Sequence, residues 1–279
     1  QLELGLLSVA DMKELALKIA ERHKEAPAVE HDRRAKVIAL TKEFMWDNLS
    51  ALDGFINEAT LDSLKDWTSN ELRVAEPLLS QRFDEGFVRD CHGDLHLANL
   101  VRLPDGLTTF DCIEFNTDLR HIDVMCDIAF LIMDLVERKR HDLAAHFLNR
   151  YLEVSGDYGG LAVLNLFFVY RCQVRAKVAV IRSRERTDIK AREDDIDEAH
   201  SYCDMAVRQI ADRLPVLVIM HGLSGSGKTW VSGQLMAALP AVRVRSDIER
   251  KRMIGLSEGA SSHSEVGGGI YSEDTNRDV

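Results

Sequence analysis

Before Pro215 the apolar residues recur mainly at helical spacing, and the one clear break in that period is where the chemistry collects. Ser8 followed by Asp11 predicts a helix start, with Met12, Leu15 and Ile19 on one face up to Pro27. A second helix is expected from Arg33 to Leu52 on Val37, Leu40 and Phe44, ending near Gly54. A third is expected from Leu61 to Phe83, broken near Pro77. Between His92 and Asp111 the pattern shortens: Leu100-Val101-Arg102-Leu103 and Leu107-Thr108-Thr109-Phe110 flank Pro104-Asp105-Gly106, which predicts a hairpin. An apolar helix through Asp127, Phe130, Leu131 and Leu135 follows, then one from Arg140 to Val154 stopped by Gly156, then a long one from Leu161 to Arg184.

At Pro215 the pattern changes. Val216-Leu217-Val218-Ile219-Met220 predicts a buried parallel strand, and it leads directly into Gly222-Leu223-Ser224-Gly225-Ser226-Gly227-Lys228-Thr229 and a helical pattern through Leu239. That octet satisfies G-x-x-x-x-G-K-[ST]. Its glycines let the backbone turn sharply and aim N–H groups at phosphate oxygens, so Gly222, Ser224, Gly225, Ser226 and Gly227 are expected to cradle a nucleotide. Lys228 would neutralise the β- and γ-phosphates and Thr229 would ligate Mg²⁺. Val242 to Arg245 predicts a second strand ending in Ser246-Asp247, with Arg250-Lys251 on a following helix, and from Gly255 the composition is loop-like.

The hairpin carries the other candidate site. Antiparallel pairing brings Asn99, at the start of one strand, beside Asp111, at the end of the other, so the two can share one hard cation such as Mg²⁺ through oxygen ligands. Asp94 lies close enough before Asn99 to take a proton from a hydroxyl aimed at a phosphate on that metal. The competing view is a turn region rich in Asp, Asn and Gly because turns favour them. At these residues the chain resembles a protein-kinase-like phosphotransferase of the aminoglycoside phosphotransferase type, with His92-Gly93-Asp94 standing where protein kinases have His-Arg-Asp. The resemblance implies that Asp94 is the catalytic base and that Asn99 and Asp111 are metal ligands. Asp111 is followed by Cys112-Ile113-Glu114 rather than Phe-Gly, and no Ala-Pro-Glu follows, which points to a small-molecule acceptor. Leu15 to Pro27, with Arg22-His23, resembles the helix that links the two lobes in that family. Cys126-Asp127-Ile128-Ala129 resembles its element behind the catalytic loop, although Asp127 is read more readily as a helix cap. The octet's half resembles P-loop kinases of small molecules and polynucleotides, which implies that Asp247 contacts or activates the acceptor hydroxyl. As a helix cap Asp247 would need no further role.

Taken together, the chain resembles bacterial bifunctional proteins in which an aminoglycoside-phosphotransferase-like domain precedes a P-loop kinase-like domain. The implied fold class is α/β (α+β): a mostly helical kinase-like C-lobe with a catalytic hairpin over 1–213, then the start of a P-loop α/β domain over 214–279. The resemblance implies ATP-dependent transfer to a hydroxyl of a small molecule, with Mg²⁺. It also implies a nucleotide-binding lobe before Gln1 and a continuation after Val279. The alternative is a catalytically silent scaffold with a P-loop nucleotide sensor.

Composition narrows this little. With 35 basic and 46 acidic residues the formal charge is −11, which argues against general nucleic-acid or anionic-membrane binding. The five cysteines form no C-x-x-C pair, which fits a reducing cytoplasm, and the apolar run Leu161 to Tyr170 is too short for a bilayer. The basic face of Arg171, Arg175, Lys177, Arg182, Arg184 and Arg186 offers a place for an anionic acceptor or a phosphate, and is more readily expected to pair with Glu193, Asp194, Asp195, Asp197 and Glu198.

Overall fold

The computed structural model describes residues 7–211, 215–223, 225–239 and 241–256. Helix α1 (Val9–Glu25) starts on a capping box: the Asp11 N–H donates to Ser8 Oγ and the Ser8 N–H donates back to Asp11. Helix α2 (Arg34–Ala51) turns Val37, Leu40, Thr41 and Phe44 toward a cleft shared with Leu79, Phe83, His121 and Tyr170, while Met45 and Leu49 enter the core. Helix α3 (Glu58–Asp84) is continuous through Pro77, contrary to the break expected there. Pro77 is exposed, so the carbonyl it leaves unbonded faces water, and Leu72, Ala75, Leu79 and Phe83 pack inward on both sides of it. That packing outweighs the cost of a proline inside a helix, roughly 3 kcal/mol.

Two small antiparallel sheets follow. Strand β1 (Val88–Asp90) pairs with β4 (His121–Asp123), and between them β2 (Leu100–Leu103) and β3 (Gly106–Thr109) form the expected hairpin, with Leu100 opposite Thr109. Helix α1 straps the hairpin from one side. Asp11 pairs with Arg102 at 2.8 Å, Lys18 Nζ donates to the Asp105 and Leu107 carbonyls, and Arg22 donates to Thr109 Oγ1.

Helix α4 (Val124–Glu137) is buried from Val124 to Leu135 and forms the centre of the core. Its cap is Asp123, which accepts from the Met125 N–H and is gripped by buried Arg82, which also binds Asp157. Asp127 is therefore not a cap. Helices α5 (His141–Ser155) and α6 (Leu161–Glu185) flank α4, and α5 stops at Gly156 as expected. Helix α7 (Ile189–Ile210) packs along α6, where Arg175 meets Glu198, Arg182 meets Asp195 and Glu198, and Arg186 meets Asp195. Arg171 departs from that row: it is buried, its guanidinium lies over the Phe130 ring, and its Nε donates to the Cys126 carbonyl. No described helix is long and apolar enough to cross a membrane, and all five cysteines are free thiols.

After the octet come α8 (Lys228–Ala238) and α9 (Ser246–Met253). Among the described residues neither strand expected in this region forms. Val216 to Ile219 is exposed, with Leu217 at 84%, and residues 242–245 carry no regular secondary structure. A strand exists only through its neighbour's hydrogen bonds, and among the described residues these two segments do not pair with each other. The second segment instead meets α5: the Asn149 side-chain amide donates to the Ala241 carbonyl at 3.0 Å and accepts from the Arg243 N–H at 2.6 Å.

Candidate functional sites

His92 to Asn99 runs from β1 to β2 as a loop held from behind by α4. Asp127, fully buried, accepts from the His92 N–H at 3.2 Å and the Gly93 N–H at 2.9 Å. Two helical turns further along the same face, Asp134 accepts from the Leu97 N–H at 2.8 Å. Burial pushes the Asp127 carboxyl up, but the hydrogen bond from His23 and the charges of His23 and Arg171 outweigh it and hold the group below its ordinary value. His23, on α1, links Asp127 at 3.0 Å to the Tyr151 hydroxyl at 2.8 Å. Cys91 lies beside them, and His23, Cys91 and Asp127 form the one described group of such side chains close enough to hold an ion. His23 and Asp127 already bond each other directly, so the group is read as a hydrogen-bonded brace for the loop.

Two residues make the loop's turn possible. Gly93 has φ of 81°, and a Cβ there would lie 2.8 Å from the Leu119 carbonyl oxygen, so only glycine fits. The buried His92 ring donates from Nε2 to the Phe110 carbonyl and accepts at Nδ1 from the Asp94 N–H, which selects one neutral tautomer. Burial lowers its pKa, in keeping with that state.

The loop presents Asp94, half-exposed. Its Oδ2 accepts from Asn99 Nδ2 at 2.9 Å and lies 3.2 Å from His96 Nε2. Burial raises the Asp94 carboxyl, while His96, Asn99 and the more distant Arg171 together bring it below its ordinary value. Asp94 is thus an ionised proton acceptor at neutral pH. Asn99 is buried with its NH₂ committed to Asp94, which leaves its Oδ1 as an oxygen donor. The Phe110 N–H donates to the Asn99 carbonyl, so Asp111, the next residue, follows directly from the strand pair beside Asn99. Asp111 is exposed and sits at φ of 58°, an uncommon conformation for a residue other than glycine. Among the described residues no hydrogen bond or ion pair joins its carboxylate to Asn99 or Asp94.

The octet is organised by its backbone. Gly222, Gly225 and Gly227 all have positive φ, and Gly227 caps α8, so that Lys228 opens the helix and Thr229 follows. The Ser226 N–H donates to the Leu223 carbonyl, and Lys228 Nζ bonds the Gly222 and Leu223 carbonyls, both at 2.6 Å. Ser224 lies outside the described residues. Asp247 sits in the first turn of α9, where Arg245 holds the cap position, and pairs with Lys251 at 3.5 Å; the cap reading of Asp247 does not hold.

Residues 217–277 match the family model of an AAA domain. The AAA match therefore contains the whole octet and α9. Uncharacterized proteins of Mycobacterium tuberculosis (strains H37Rv and CDC 1551) and Mycobacterium bovis are each 31% identical to the chain over 199 residues, covering 71% of it and 39% of their own length. The chain thus spans about two fifths of the curated relatives it matches. No solved structure matches it.

Sequence reasoning singled out Asp94, Asn99 and the octet as candidates but did not identify the brace of His23, Tyr151 and Asp134. One signal was present: two carboxylates seven positions apart on an otherwise apolar helix must find buried donors.

Proposed function

We propose that the chain is a phosphotransferase that moves the γ-phosphoryl group of ATP to a hydroxyl of a small molecule, with the Gly222–Thr229 loop as a second ATP site. The observation that carries the reading is the Asp94–Asn99 pair, presented on a loop whose N–H groups are held by Asp127 and Asp134. Asp94 takes the proton of the attacking hydroxyl as the new O–P bond forms and the bond to the ADP oxygen breaks. Asn99 Oδ1 and the Asp111 carboxylate are hard oxygen donors and fit Mg²⁺, which when bound neutralises charge on the phosphates. The resemblance to aminoglycoside phosphotransferases over residues 1–213 supports the same roles.

At the second site the AAA domain match supports nucleotide binding. Gly222, Ser224, Gly225, Ser226 and Gly227 would cradle the phosphates, Lys228 would neutralise them, Thr229 would ligate Mg²⁺ and Asp247 would serve the acceptor hydroxyl. Five free thiols support a reducing, cytoplasmic setting, and the charge of −11 supports a partner other than nucleic acid or membrane.

The test is transfer from γ-labelled ATP to a panel of amino sugars, nucleosides and polyols by a polypeptide that includes any flanking lobes. Asp94→Ala should lower transfer by about 10²–10⁴-fold while nucleotide binding at the second site persists. Undiminished transfer by that variant refutes the reading.

The competing reading takes the first half as a silent scaffold and the octet as a nucleotide sensor. Melting in Mg-ATP separates the two. A sensor loses its ligand shift only in Lys228→Ala, whereas an active first site loses part of it in Asp111→Ala as well.

A further inference from the structure

Helix α5 bonds on opposite faces to the segment that follows α8 and to the brace behind the Asp94 loop. On one face, Asn149 and Glu153 sit one turn apart and hold the segment that follows α8. Asn149 grips the Ala241 carbonyl and the Arg243 N–H, Glu153 pairs with Arg243 at 2.9 Å, and Arg252 bonds the Glu153 carbonyl. Arg243 in turn donates to the carbonyl of Thr229, within the octet, at 3.4 Å. Tyr151, two positions from Asn149 and so on the other side of the helix, bonds His23, which bonds Asp127, which holds the His92 and Gly93 N–H groups next to Asp94. The links at Asn149, Tyr151, His23 and Asp127 are all buried. Two sets of contacts, joined across the backbone of α5, therefore connect the octet to the loop that carries Asp94.

Such a connection transmits only if one end has two states. Lys228 supplies them. Its ammonium bonds the Gly222 and Leu223 carbonyls, and it must leave them to reach the phosphates of a bound triphosphate. Thr229, the next residue in α8, is the Arg243 acceptor and stands directly beside that switch.

We propose that Mg-nucleotide binding at the octet resets the loop that carries Asp94, through Arg243, Asn149, Tyr151, His23 and Asp127. This rests on the reading of the octet as a nucleotide site. It makes the second site a regulator of the first, and by reciprocity makes the state of the first loop a determinant of nucleotide affinity at the second.

The Gly93 amide, bonded to Asp127, is the reporter. Its hydrogen exchange is measured by NMR in the full chain with and without Mg²⁺ and a non-hydrolysable ATP analogue, while calorimetry measures binding. A change in exchange rate of at least about fivefold is expected on saturation, the lower end of the usual range of coupling. Tyr151→Phe, which removes one oxygen, and Asn149→Ala should still bind the analogue, with affinity altered by no more than the coupling factor, yet lose the change. If Asn149→Ala does not fold, Tyr151→Phe carries the test alone. The proposal is overturned if the analogue binds and Gly93 exchange does not move, or if Tyr151→Phe keeps the full response. It is also overturned if Lys228→Ala still responds, because the nucleotide then acts directly at the first site. Absence of any binding by the parent chain removes the nucleotide reading of the octet and the coupling with it.

Discussion

Around Asp94 the chain is fixed by side chains, since carboxylates from the most buried helix grip its N–H groups and Leu95 is fully buried; around Lys228 it is fixed by its own backbone, and the segment leading into it is exposed. The first loop is preorganised by a core that surrounds it, so its geometry is as stable as that core. The second has the right local turns but little packing of its own. Its anchors to the rest of the molecule include Asn149, Glu153 and Tyr158. A glycine-rich loop can encode its shape within eight residues, whereas the Asp94 loop needs partners more than thirty positions away.

The contrast breaks first at Asp127. Asp127→Ala strands two buried N–H groups and the His23 ring, so it should cost about 3–5 kcal/mol in urea unfolding and abolish any transfer. Loss of activity without loss of stability would mean the brace is not structural. Leu95→Ala should cost about 2–5 kcal/mol by the same measurement. Gly93→Ala, which meets a carbonyl oxygen, should cost roughly 1–3 kcal/mol more than Gly225→Ala, where a Cβ has open space and only the positive φ matters. Equal melting temperatures for the two alanine variants would erase the distinction between a packed and an open loop.

The pH dependence is smaller. Burial holds His92, and with it His121 and His146, below the ordinary value of 6.5. Between the lowered folded value and 6.5 the unfolded chain binds the extra proton, so their contribution is full above pH 6.5 and falls as the pH drops through that window. Asp94 and Asp127 lie below 3.8 when folded, so what they contribute is full above that value and is lost only as the pH falls through the depressed ones. Urea midpoints taken at half-unit steps from about pH 7.5 to 5 should fall below 6.5, with a shallower slope in His92→Gln if that variant folds. Least of all, Ile219→Ser should stay within about 0.5 kcal/mol of the parent, since the residue it alters is 79% exposed. A large loss there would show that Val216 to Met220 is covered in solution.

What could be read in the sequence was local. The Ser8–Asp11 box, the Pro104-Asp105-Gly106 turn with its register, the Gly156 stop and the octet's turn into α8 each depend on residues within a few positions of one another. What could not be read depends on distant partners. Val216 to Met220 has a strand's composition but no neighbour among the described residues, Pro77 is tolerated because of packing beyond its own turn, and Asp127 resembled a cap until Asp123 was seen to hold that position. Asp94 and Asn99 fell between the two cases. Their spacing marked them, but the bond between them and the brace beneath them are tertiary.

The five thiols are graded in a useful way. Cys91, Cys126, Cys172 and Cys203 are buried and pushed toward the unreactive protonated form, whereas Cys112 is partly open and adjoins Asp111. A maleimide fluorophore should therefore attach at one place in the untouched sequence, putting an optical gauge of cation arrival next to the carboxylate expected to receive it.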